Sequence, residues 1–394
     1  MTALSQQTGA WLEAFTSRKA AAPWLRELRE AAFQRFAELG FPTTHDEEWR
    51  FTNVAPIART EFRVLEASGK VSELPQTVHL GTLDESRDYM AKHAAFDQNA
   101  FAALNTAFLE NVIFIRVPRG VVVEQPIEIV YASEQAGGLP CATHPRTLIV
   151  VGADAHCTVV EKYAGSGSYF TNAVTEIVAG DGAVIDHYKV QQEGAGAFHV
   201  ASLQATLGTS ANFSTHNLSL GGLLVRNDIG ATLSEGAEAV VNGLYVINGS
   251  QHVDNHTVID HAKPHGTSHE LYKGILDDRS TAVFNGRILV RQDAQKTDSK
   301  QTNKNLVLSD EAVINTKPEL QIFADDVRCT HGATIGQLDA ESLFYMQSRG
   351  IGKSQARSLL TYAFAQDIVD RIKVQGLRDS LERVLFEKFH EYSH

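Results

Sequence analysis

A chain of 394 residues, 43% hydrophobic and 21% charged, has the composition of an ordinary soluble protein and room for a large core or two to three domains. Its net charge of -12, with no lysine or arginine cluster, argues against nucleic acid and anionic membranes as partners. Three scattered cysteines, Cys141, Cys157 and Cys329, exclude a disulfide framework.

The opening stretch, MTALSQQTGAWLEAF, lacks a basic start and apolar core, and no run of about 18 apolar residues follows, so the expectation is a cytoplasmic protein with reduced thiols. From Trp11 to Leu39 apolar residues recur at helical spacing, and Gly40 and Pro42 stop the pattern. The segment from Asp46 to Val54, DEEWRFTNV, reads as a helix start with acids at the positive dipole end and an aromatic anchor. A further helix is predicted from Glu85 to Leu109. Residues 1–110 thus form a mostly helical domain, with one or two strands near Phe62 to Leu65.

After Phe108 short β-branched runs take over (VIFIRVP, VVVEQPIEIVY, TLIVVG, CTVVEKY) and persist to about residue 351. A degenerate repeat runs through them, a polar or glycine turn, an alanine, then a short alternating strand. The alanines are Ala153, Ala183, Ala211, Ala237, Ala282 and Ala312, spaced 30, 28, 26, 45 and 30 residues apart. A period near 28, broken once by about one and a half periods, predicts a mainly β fold with a parallel β-helix over residues 111–351. Such a coil cannot cover its own ends. The N-terminal domain is expected over one of them, and free strand edges are expected to pair with another copy or a relative.

Residues 352–394 return to helix. Ala356, Leu359, Leu360, Ala363, Phe364, Ile368 and Ile372 make one apolar stripe ended by Gly376, and a second helix carries Leu381, Val384, Leu385 and Phe389. Both a terminal cap and a docking site for a partner protein fit this pattern.

The segment QSRGIGKSQA imitates a phosphate-binding loop, but Gln347 stands where its first glycine belongs, so Lys353 and Ser354 are read as a helix start. Five histidines, His252, His256, His261, His265 and His269, suggest a metal site by residue type. Pro264 and Gly266 interrupt them, and the bland reading is histidines that hydrogen-bond between coils. Cys329 and His331 form a C-x-H pair on a predicted strand, so both project from one face. Two ligands close neither a zinc site nor an iron-sulfur site, so the pair is either a buried thiol beside a hydrogen-bonded imidazole or part of a site shared with another chain or held only briefly.

The run from Val283 through Ile351, including VFNGRILV and DVRCTHGATIGQLDAESLFYMQSRGI, together with DEEWRFTNV, resembles the SufB/SufD scaffold proteins of the SUF iron-sulfur cluster assembly system. His331-Gly332-Ala333-Thr334 stands where SufB-like chains usually carry a glutamate after the histidine, which places the resemblance nearer SufD. It implies a right-handed parallel β-helix between helical ends, pairing with SufB through β-helix edges, and docking of the SufC ATPase on the C-terminal helices. His331 would hold a transient nascent cluster at the SufB interface, with Cys329 beside it and no cofactor held stably by the chain alone. The resemblance implies no catalytic residue; a homodimer of the isolated chain also fits. The other readings are a carbohydrate-active enzyme on a β-helix and a metal-dependent hydrolase using the five histidines.

Overall fold

The computed structural model describes residues 9–18, 22–134 and 138–391. The first helical pattern is two helices, α1 (Gly9–Thr16) and α2 (Pro23–Leu39); Pro23 opens α2, where its missing N–H costs nothing. Gly40 closes α2 at φ 65°, with its N–H on the Phe36 carbonyl at 2.8 Å. A single 3₁₀ turn (Glu47–Trp49) precedes α3 (Ala55–Arg59), and three short strands follow: β1 (Arg63–Val64), β2 (Gly69–Val71) and β3 (His79–Gly81). The helix predicted from Glu85 shrinks to α4 (Ala100–Ala107), N-capped by Asn99. Residues 83–92 are turns, and among them Ala91 has φ 58°, a conformation no right-handed helix accepts.

The remaining strands wind into a parallel solenoid. It begins with β4 (Ile113–Val117), β5 (Ile127–Glu134), β6 (Cys141–Thr143) and β7 (Arg146–Val151). Next come β8 (His156–Ser166), β9 (Tyr169–Ala179), β10 (Val184–Glu193), β11 (Phe198–Leu207), β12 (Asn212–Ser219) and β13 (Leu224–Leu233). It closes with β14 (Glu238–Ile247), β15 (His252–His261), β16 (Thr267–Leu276), β17 (Thr281–Val290), β18 (Asp298–Val307), β19 (Val313–Ile322) and β20 (Arg328–Gly336). Each coil gives one strand to each of two sheets. The first runs β3-β4-β7-β9-β11-β13-β15-β17-β19, the second β2-β5-β8-β10-β12-β14-β16-β18-β20.

Register explains the broken period. Val184 pairs with Asn212, and Asn212 with Glu238, so coils of 28 and 26 residues stack in phase. Ala155, Ala183, Ala211 and Ala237, all fully buried, fill the corner before the second sheet; Ala155 rather than Ala153 is the in-phase residue. Ala282 lies in β17 of the first sheet, so the 45-residue gap is a jump from one corner to the other. One residue before the corner position, which is alanine in four coils, Gly266 in the fifth and Thr297 in the sixth, Asp154, Gly182, Ser210, Gly236, His265 and Lys296 all have positive φ, between 56° and 67°. Each gives its N–H to a carbonyl of the following coil. The bend is therefore held by stacked backbone bonds, which is why four of the six need not be glycine.

The N-terminal domain does not cover an end. Its Trp11, Phe36, Val54, Ile57 and Phe101 pack on Phe170, Val200 and Leu224, on the outer face of the first sheet. The C-terminal helices, α5 (Ala340–Ser348), α6 (Lys353–Val369) and α7 (Gln375–Glu391), follow β20. Ala365, Ile368, Leu381 and Leu385 of α6 and α7 cover Tyr188, Leu218, Leu244 and Ile275 on the outer face of the second sheet. Both sheets carry apolar patches on their outer faces in mid-solenoid, so the broad flanks, rather than the narrow ends, demand cover. The first end is closed by β2 and β3, which turn antiparallel onto β5 and β4. The predicted stop at Gly376 is also displaced: α6 ends at Val369, and Gly376 lies in the first turn of α7.

Candidate functional site

The last coil has neighbours on one side only, β17 beside β19 and β18 beside β20, leaving two parallel edges unpaired. Val313, Ile322, Phe323 and Ile335 lie exposed around it, Phe323 at 64% and Ile335 at 54%. Cys329 and His331 stand on β20 with their Cα atoms opposite Ser299 and Gln301 of β18, both buried. As the C-x-H spacing predicts, they share a face, the one turned to the solenoid interior. Cys329 is half-buried against the core and His331 is exposed at the open end. Burial pushes the Cys329 thiol up, and Asp298 adds to the effect, so it rests as a thiol rather than a thiolate. Among the described residues no three His, Cys, Asp or Glu side chains gather to hold a metal, so this pair offers a partial donor set.

The five histidines disperse. His252 bonds Thr52 and Thr281, and His256 lies between Asp254 and Glu48, both on the outer face beneath the N-terminal segment. His261 points inward onto Ser268 at 2.9 Å. His265 occupies the corner column, and His269 is exposed on the second sheet. No common centre forms, which leaves the hydrolase reading without a donor set.

The phosphate-loop imitation resolves as α6 beginning at Lys353 after Gly352. On α6, Ala356 and Ile368 are fully buried in the chain's own core, and Leu360 and Phe364 are half-buried, with Lys273 over the Phe364 ring. Leu359 and Ala363 face outward, with Phe386 of α7 also exposed. Not read from the sequence is α5, where Phe344 and Tyr345 are 73% and 59% exposed beside the open coil end; two adjacent aromatics in a short run carry no periodic signal.

Also unread were the polar groups inside the solenoid. Glu161 binds His187 at 3.0 Å and Lys189 donates to Asn227 at 2.7 Å; on the outer face of the first sheet, beneath the N-terminal domain, Arg146 meets Glu176 at 2.6 Å. Burial pulls Lys189 down to about 8 and pushes Glu270 up to about 7, the latter against hydrogen bonds from Thr257 and Gln301. The signal was present in DHYKVQQE of β10, where polar residues occupy alternate inward positions.

Residues 131–364 match the family model described as SUF system FeS cluster assembly, SufBD core domain, and residues 13–79 and 63–129 match SufBD protein N-terminal region. An iron-sulfur cluster assembly SufBD family protein of Synechocystis is 32% identical over 407 residues, covering 90% of this chain and 89% of that protein. The iron-sulfur cluster assembly protein SufD of Escherichia coli is 29% identical, with 88% and 89% covered, and SufD of Bacillus subtilis 26% identical, with 96% and 97% covered. With its core model spanning more than half the residues and its relatives matched nearly end to end, the chain belongs to the SufBD family of iron-sulfur cluster assembly proteins.

Proposed function

We propose that this chain is a non-catalytic scaffold subunit that acts in the cytoplasm. The solenoid, which ends with β20 at Gly336, pairs with SufB through its open end, and residues 352–394 dock the SufC ATPase, while residues 1–110 brace the first sheet. The observation that carries the reading is the bare last coil: two unpaired edges, exposed apolar side chains and the Cys329/His331 pair at one place. A partial donor set at an uncovered end suits a cluster completed by a partner's ligands and released again, with none held stably by the chain alone. The outward Leu359, Ala363 and Phe386 offer SufC an apolar patch, whereas Ala356 and Ile368 shape the helix from beneath. ATP-driven movement of SufC would then open or strain the SufB contact by favouring one of two arrangements.

The test is anaerobic co-purification of the tagged chain with SufB and SufC, followed by iron and sulfide analysis. His331→Ala is expected to leave the complex intact and lower cluster yield at least tenfold. Loss of the complex itself would make His331 structural, and full yield would remove it from the site.

A further inference from the structure

Beneath His331 runs a column of polar side chains with an uneven end. Glu270, Gln301 and His331 occupy the same position on β16, β18 and β20, paired Cα to Cα on successive rungs about 4.8 Å apart. Glu270 and Gln301 are 2% and 1% exposed. Gln301 Nε2 donates to Glu270 Oε2 at 2.7 Å, while the other end of the same amide, Oε1, is buried without a partner. With its nitrogen held on Glu270, the amide turns its oxygen elsewhere. Gly286 on the facing sheet makes room for this: a Cβ there would stand 2.3 Å from Gln301 Nε2. The neighbouring column under Cys329 differs, because its hydroxyls, Ser299 and Ser268, satisfy each other at 2.8 Å and Ser268 also meets His261.

An imidazole that gives one nitrogen to a metal carries its proton on the other, and that N–H needs an acceptor to fix tautomer and ring direction. We propose that Gln301, oriented by Glu270, is the positioning residue for His331: its Oε1 accepts the inward ring N–H and leaves the outer nitrogen unprotonated for iron. The inference rests on the reading of His331 as a cluster ligand. It adds a supporting pair that lies two strands deep in the solenoid and touches no partner.

The full chain labelled with ¹⁵N-histidine reports the ring nitrogens directly, the His331 signals being those lost in His331→Ala. Wild type is expected to show one dominant tautomer. Gln301→Leu, which keeps volume and removes the acceptor, should show a mixture and lower cluster yield in the SufB/SufC complex about tenfold, with complex recovery and melting temperature held. Glu270→Leu acts through Gln301 and should move the tautomer the same way, while Glu270→Gln, whose amide oxygen still accepts, should restore wild-type behaviour. Glu270→Leu also serves as the second variant if Gln301→Leu does not fold. An unchanged tautomer and yield in Gln301→Leu and Glu270→Leu, with His331→Ala still defective, would overturn the inference alone. Normal yield in His331→Ala would instead overturn the reading on which it rests.

Discussion

Glu270 shows how one side chain sets a pH dependence for the whole fold. It is enclosed with no cation among its neighbours, and burial raises its pKa to about 7. The unfolded chain gives the proton up near pH 4.3, the folded chain only near 7, so the folded state binds more protons between those values and stability falls as pH rises through them. The loss amounts to about 4 kcal/mol above pH 7, from 1.36 kcal/mol per unit. Glu270→Gln is expected to melt several degrees above wild type at pH 8 and alongside it at pH 4.5; equal melting at both would show that the carboxylate is solvated or paired. Sequence could not show this. In HELYKGIL the alternation is plain, but a period of two does not say which set faces inward, and the usual rule that polar means outward is reversed for Glu270, Gln301 and His187. Cys329 and His331 were legible because their spacing alone puts them on one face.

The segment Asp46–Val54 clasps the first sheet by groups some 200 residues away in sequence. Arg226, buried at 2%, lies 4.2 Å from the Trp49 ring centroid and bonds Asp254, Asp228 and the Glu48 carbonyl. Thr52 also bonds Asp254, and Lys317 meets Glu47 at the surface. The aromatic anchor at Trp49 was legible in DEEWRF, but Glu48 and Glu47 serve His256 and Lys317 while Asp46 accepts from Thr43, and no local pattern announces the two distant partners. Asp254→Ala would strand part of the buried Arg226 charge and is expected to cost about 3 kcal/mol, Asp228 remaining as a partial substitute. Lys317→Ala removes a solvated pair and should cost under about 1 kcal/mol. Denaturant titration compares the two, and equal costs would refute a buried clasp. The Glu48–His256 contact adds a pH window. Burial pulls His256 down, but Asp254 and Glu48 raise it overall, so its contribution is full below about pH 6.5 and fades as pH rises through the raised value. Glu48 is lowered by its His256 hydrogen bond, so its share is full above about pH 4.5 and fades as pH falls.

At the scale of the whole molecule, the two flanks and the first end are covered and one end is not. The repeat in the sequence foretold a solenoid with ends to cover, but not which surfaces the helices would take. That choice depended on outward residues such as Leu218 and Leu244, and in a strand buried on both faces the alternation does not say which set points outward. The asymmetry separates two partner surfaces for experiment. Phe323 and Ile335 lie exposed at the open coil end and Leu359 and Phe386 on the outer C-terminal helices, so a charge placed at either site meets water in the free chain and desolvation only in a complex. Phe323→Glu with Ile335→Lys is expected to leave the melting temperature of the isolated chain within about 2 °C, from a surface effect of roughly 0.5 kcal/mol. The pair should abolish co-purification with SufB while SufC still binds. Leu359→Asp with Phe386→Asp should give the converse. If the first pair released SufC, or the second released SufB, the two surfaces would not act separately and the division between open end and helical flank would fail. Retention of both partners by both variants would mean that SufB and SufC grip the chain elsewhere, and that the exposed apolar groups of the last coil are an edge the chain tolerates rather than one it uses.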